Sequence, residues 1–87
     1  LRTEGSVFRN PAGDAAGRLL EAAGCKGLRI GGARVAEFHA NILAVDDGAT
    51  ASDVLALVQR MRNRASAASG VALHPEIDGL ESKETTK

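Results

Sequence analysis

Tryptophan and tyrosine are absent, and Phe8 and Phe38 are the only aromatic residues in an 87-residue chain. A surface that stacks nucleobases needs more π faces than that, and a nucleic-acid groove also needs an excess of cations. The charge does not supply one, because 11 Lys and Arg balance 11 Asp and Glu. No broad field therefore favours DNA, RNA or an anionic membrane, and only local anion sites remain open. Cys25 is the single cysteine, so an internal disulfide is excluded. One thiol with two histidines falls short of a closed structural zinc set, no metal ligands are assigned, and a reducing compartment fits best. No apolar run approaches the ~20 residues of a membrane span, and "LRTEGSVF" lacks the basic-then-apolar pattern of a secretion signal. The expectation is a soluble intracellular domain, and a start without methionine suggests a piece of something longer.

What is present suffices for one core. A chain of this size buries roughly 60–65% of its unfolded surface, which supports a single two-layer fold without disulfides but not two separate cores. Two segments carry helical periodicity. In "GDAAGRLLEAAG" the apolar positions Ala16, Leu19, Leu20 and Ala23 recur at helical spacing, Asp14 is placed to cap, and Gly24 supplies a left-handed stop. In "TASDVLALVQRMRNRASAASG" the stripe runs through Val54, Leu55, Leu57, Val58, Met61 and Ala65 to Gly70. Thr50 and Asp53 have the spacing of a capping box, with Ser52 as the alternative cap. Arg60, Arg62 and Arg64 lie toward the carboxyl end, where cations complement the helix dipole, and they read as a solvated face.

Strand patterns fill the remainder: "SVF", "LRIGGARVA", "ANILAVDD" and "VALHPEI". Ile42 to Val45 have the composition of a strand buried on both faces, and Gly31-Gly32 suits a bulge or tight bend. The order strand, helix, two strands, helix, strand predicts an α+β fold, a mainly antiparallel sheet covered on one face by two helices. Residues 1–80 read as the domain, and "ESKETTK" as a polar tail over 81–87 with nothing to bury.

Motif logic alone assigns little chemistry. Ser6 lacks the G-x-S-x-G elbow, and no spacing joins it to His39 or His74 as a triad. His39 in "EFHAN" suits a strand end, Glu76 after Pro75 suits an exposed edge, and Lys26 suits a helix-end cation. Neither G-x-G-x-x-G nor G-x-x-x-x-G-K-[ST] occurs, so no nucleotide-cradling loop is indicated. "RIGGAR" suggests an RNA-binding loop, a reading that the neutral charge and two aromatics oppose.

Residues in order change that picture. "GSVFRNP", "AGRLLEAAGCKGLRIGGARVAEFHAN", "GATASDVLALVQRMRNR" and "GVALHPEI" together resemble the carboxyl-terminal substrate domain of the UDP-N-acetylenolpyruvoylglucosamine reductase family, from about Glu4 to Ile77. The resemblance implies a bacterial cytoplasmic flavoenzyme of cell-wall synthesis, in which NADPH reduces FAD and the hydride passes to the enolpyruvyl group of UDP-N-acetylenolpyruvoylglucosamine. It implies Ser6 as the proton donor and Glu76 as the carboxyl beside the substrate carboxylate. It further implies Asn10, Lys26 and His39 as substrate contacts. FAD would be bound by domains missing from this chain, with no cofactor contact expected here and the chain inactive by itself. Two positions depart from the family pattern: Asp78 stands where Arg is usual, and Phe38 where Lys is common. The rival expectation is a stand-alone, non-catalytic homologue that binds a sugar nucleotide or a protein partner.

Overall fold

Glycine 31 adopts φ +56° and turns the chain back on itself, so that Arg29–Ile30 (β2) pairs antiparallel with Ala33–Val35 (β3). The single expected strand "LRIGGARVA" is therefore a two-residue hairpin turn with a strand on each side. Its neighbour β4, Ile42–Val45, pairs antiparallel with β3 and also with β1, Arg2–Ser6. The result is a four-stranded antiparallel sheet in the order β1-β4-β3-β2. The computed structural model describes residues 2–76. Asp78 and the expected unordered tail over 81–87 lie outside the described residues.

Side chains alternate across the sheet as pleating requires. Ala33, Val35, Leu43 and Val45 are buried on one face and join a single cluster with Ala16, Leu19 and Leu20 of helix α1 (Ala16–Ala22). Leu57, Val58, Met61 and Ala65 of helix α2 (Ala51–Ser69) belong to it as well, with Val7, Phe8, Cys25, Ala40 and Leu73 from the connecting segments. Both helices thus lie on the same side, α2 against β2 and β3, and α1 against α2. This is the α+β arrangement expected.

The caps differ in instructive ways. At α2, Thr50 Oγ1 accepts from the Asp53 N–H at 3.0 Å while the Asp53 carboxylate accepts from the Thr50 N–H at 3.1 Å, a complete capping box. Gly70 closes that helix with φ +77°. At α1, Asp14 is not the cap. Ala15 holds the N-cap conformation, and the N–H of Ala16 is satisfied by Asn10 Oδ1 at 2.9 Å. Asp14 instead accepts from the Ala15 N–H and from Arg18. The arginines of α2 do not sit in its last turn either. Arg64 donates through Nε to the Ala23 carbonyl at 3.2 Å, so its charge complements the carboxyl end of α1.

Leu55 departs from the expected stripe and is 44% exposed. A helix advances about 100° per residue, so Val54, Leu57, Val58, Met61 and Ala65 cluster around one direction and Leu55 lies roughly 100° away from it.

The chain ends are the other correction. β1 stops at Ser6 rather than running through "SVF", and "VALHPEI" forms no strand among the described residues. Phe8 and Pro75 make an isolated antiparallel bridge, flanked by Arg9 N–H to His74 O at 3.0 Å and Glu76 N–H to Val7 O at 2.7 Å. Proline has no N–H to continue a ladder, which limits the pairing to this bridge.

Candidate functional site

Ser6 ends β1 just after a register irregularity between Thr3 and Ser6, where a bulge bends the strand. Its side chain is exposed, and the two residues that follow, Val7 and Phe8, are completely buried. The hydroxyl thus stands at the edge of a cavity while the adjacent main chain is anchored in the core. The cavity is about 440 Å³, within the range of small-molecule sites, and Ser6, Asn10, Lys26 and His39 all line it. Four of the five residues singled out from the sequence therefore share one space. Glu76 does not line it; its main-chain bond to Val7 brings it alongside the residue after Ser6.

Several of the lining groups have a local partner. Asn10 spends its carboxamide oxygen on the α1 amino terminus. His39 accepts the Asn41 N–H at Nδ1, 3.1 Å, which leaves Nε2 to carry the ring hydrogen. Lys26 Nζ lies 3.4 Å from Glu21 Oε2 on an exposed surface. Such pairs are worth about 0–1 kcal/mol, so an anionic ligand competes readily for Lys26. Arg18 also lines the cavity and is held by Asp14, whose carboxyl is pulled down to about 2 by the Arg18 hydrogen bond first and the Ala15 N–H second. Phe38 forms part of the wall and is 71% exposed.

Gly17 and Asn41 are among the lining residues that escaped the sequence reading. Gly17 lines the cavity, and a Cβ there would come within 2.9 Å of His39 Cε1. The available signal was a glycine inside a helical pattern, which costs about 1 kcal/mol against alanine and so calls for a reason. Asn41 is 4% exposed. Its Oδ1 accepts from the Phe8 N–H and its Nδ2 donates to the Phe8 carbonyl, both at 2.9 Å. Nothing local in "HANIL" indicates a partner 33 positions away. The Gly31-Gly32 turn, by contrast, has a packing reason: the Gly32 N–H donates to Asp53 at 3.3 Å, and a Cβ on Gly32 would meet the Ala49 main chain at 2.9 Å.

Comparison with known proteins agrees with this architecture. The family described as UDP-N-acetylenolpyruvoylglucosamine reductase, C-terminal domain, matches residues 1–80. The chain belongs to that family. A reductase of this name from Alkalilimnicola ehrlichii is 53% identical over 73 residues, covering 84% of this chain and 24% of the relative. One from Synechococcus sp. is 49% identical over 76 residues, covering 87% and 24%. The crystal structure of UDP-N-acetylenolpyruvylglucosamine reductase from Thermus caldophilus superposes with a TM-score of 0.70 at 38% identity, covering 82% of this chain and 24% of that one. The chain thus spans about a quarter of the length of the relatives it matches. Among the described residues no helix is long and apolar enough to cross a membrane, and no group of three or more His, Cys, Asp or Glu is arranged to hold a metal ion.

Proposed function

We propose that this chain is the substrate-binding domain of a bacterial cytoplasmic reductase that uses NADPH and FAD to convert UDP-N-acetylenolpyruvoylglucosamine to UDP-N-acetylmuramate for cell-wall synthesis. What supports the reading is the gathering of Ser6, Asn10, Lys26 and His39 around one cavity in a chain of this family.

The residues described here do not fit FAD. A dinucleotide pyrophosphate seeks unpaired N–H groups at a helix amino terminus. At α2 the capping box takes the Thr50 and Asp53 N–H groups and sets the Asp53 carboxylate, held below the usual carboxylate range by the Thr50 and then the Gly32 N–H groups, where a pyrophosphate would meet it as a like charge. At α1 the Ala16 N–H is taken by Asn10 and Asp14 stands beside it. The flavin and NADPH supply a hydride from outside this chain. The role of this chain is to hold the UDP-sugar and deliver a proton.

In this reading hydride adds to the terminal carbon of the enolpyruvyl double bond, and the electron pair moves to the adjacent carbon and into its carboxylate. Ser6 Oγ–H transfers its proton to that adjacent carbon, completing the C–H bond, and the alkoxide regains a proton from solvent. A serine hydroxyl is a very weak acid, so this step depends on close positioning. Lys26 provides a cation toward the anionic substrate, and Asn10 retains its carboxamide N–H groups as donors. For Glu76, which lies alongside Val7 and outside the cavity lining, the family resemblance supports a place near the substrate carboxylate, where it would help stabilise the enolic intermediate.

The test is Ser6→Ala in a full-length reductase carrying this domain. Rapid mixing should show flavin reduction by NADPH unchanged and reoxidation by the UDP-sugar slowed at least ~10²–10⁴-fold, the contribution typical of a general acid. Ser6→Cys should recover part of the rate, since a thiol also donates. Reoxidation of Ser6→Ala at the parent rate would sink the assignment.

A further inference from the structure

We infer that Asn41, the single buried polar residue among those described, is the positioning residue of this site: its side chain fixes the main chain that follows Ser6, and its own N–H holds the ring of His39. The inference rests on the reading of Ser6 as the proton donor. Ser6 is exposed, and no hydrogen bond of its hydroxyl is seen among the described residues, so the placement of Oγ is inherited from the main chain around it. On the amino-terminal side that chain is bent by the irregularity after Thr3. On the carboxyl-terminal side Asn41 grips it three times: its carbonyl accepts the Val7 N–H at 2.9 Å, Oδ1 accepts the Phe8 N–H, and Nδ2 donates to the Phe8 carbonyl.

The carboxamide does here what a neighbouring strand does in a ladder. It offers a donor and an acceptor to one extended residue, with both of its own polar ends satisfied. Asn41 also holds the ring of His39, because its N–H donates to His39 Nδ1. Ser6 and His39 line the same cavity from different segments, and Asn41 is hydrogen-bonded to both segments. A displacement of either segment changes the gap between the hydroxyl and the substrate carbon, to which proton transfer is acutely sensitive. Asn41 lines the cavity with its carboxamide committed to Phe8, and it acts on the reacting atoms through residues 6–8 and 39.

The experiment uses the full-length reductase carrying this domain, with Asn41→Asp beside Ser6→Ala. Aspartate keeps the shape and the acceptor for the Phe8 N–H but presents an oxygen, not an N–H, to the Phe8 carbonyl. We expect flavin reduction by NADPH at the parent rate, reoxidation by the UDP-sugar slowed about 10–100-fold, and substrate Kd changed by less than about 3-fold. A purely architectural residue would lower both half-reactions together in proportion to the unfolded fraction. A folded Asn41→Asp enzyme that reoxidises at the parent rate overturns the inference, provided Ser6→Ala is slow in the same assay. If Ser6→Ala is also fast, the reading of Ser6 has failed and this inference falls with it. Hydrogen exchange on the unmodified enzyme does not depend on the variant folding. The Phe8 amide should be strongly protected and stay so when substrate binds, and exchange as fast as an exposed loop also overturns the inference.

Discussion

Gly17 sits in the first turn of α1, a place where alanine suits the helix better because it leaves less backbone freedom to lose on folding. The glycine is explained by the ring above it: a methyl group would meet His39 Cε1 at 2.9 Å, and the mobile end of the histidine gives way more easily than the helix. Gly17→Ala should therefore leave stability within about 1 kcal/mol of the parent, the helix gain of ~0.4–1 offsetting the lost bond at His39 Nδ1. Affinity of a full-length reductase carrying this domain for the proposed UDP-sugar should fall in the same variant. Thermal melts with substrate titration check this, and an unchanged affinity would remove His39 from the binding wall. Asp14 makes a second prediction at this scale. Arg18 hydrogen-bonds its carboxylate first and the Ala15 N–H second, taking the carboxyl from 3.8 down to about 2. A depressed folded value means the carboxylate favours the folded state above pH 3.8, and that contribution is lost as pH falls through about 2. A carboxyl carbon NMR titration should place the Asp14 midpoint near 2, and Arg18→Ala should move it up toward the ordinary range.

Helix α2 is the element whose phase matters most, since it carries four core residues and reaches α1 through Arg64. Leu57 is completely buried whereas Leu55, two positions earlier, is 44% exposed. Leu57→Ala should cost about 2–5 kcal/mol by removing transfer energy and leaving a cavity, while Leu55→Ala should cost under about 1 kcal/mol. Equal losses in urea melts of the two variants would mean that the helix is rotated. The helical period was visible in the sequence, and so were the capping box and Gly70. The edge of the stripe was not, because an apolar residue 100° off the stripe satisfies the same composition. The β2–β3 turn was legible in a similar measure. Paired glycines announced a bend, but their seat against Ala49 and Asp53 depends on where α2 begins in space.

For the whole molecule, the carboxylates of Asp14 and Asp53 at the two helix amino termini and the lack of a phosphate-loop motif in the sequence predict that this chain by itself leaves FAD free. Flavin fluorescence on titration should show no one-to-one quenching, and tight quenching would contradict the assignment of the cofactor to other domains. Short-range features were written in the sequence: helix period, strand alternation, caps, left-handed glycines and the ordered segments of the family. These follow from sterics and hydrogen bonding within a few residues, so neighbours in sequence suffice to reveal them. The resemblance also named Ser6, Asn10, Lys26 and His39, without placing them together. Only the fold placed them around one cavity, through the β1-β4-β3-β2 order that lays the first strand against the fourth. Asn41 on Phe8, Arg64 on Ala23 and Gly17 beneath His39 were likewise decided in three dimensions. Such contacts join segments 22 to 41 positions apart. Many pairings of a buried carboxamide or a helix arginine are equally compatible with local pattern, and the one realised is selected by how the shared core closes.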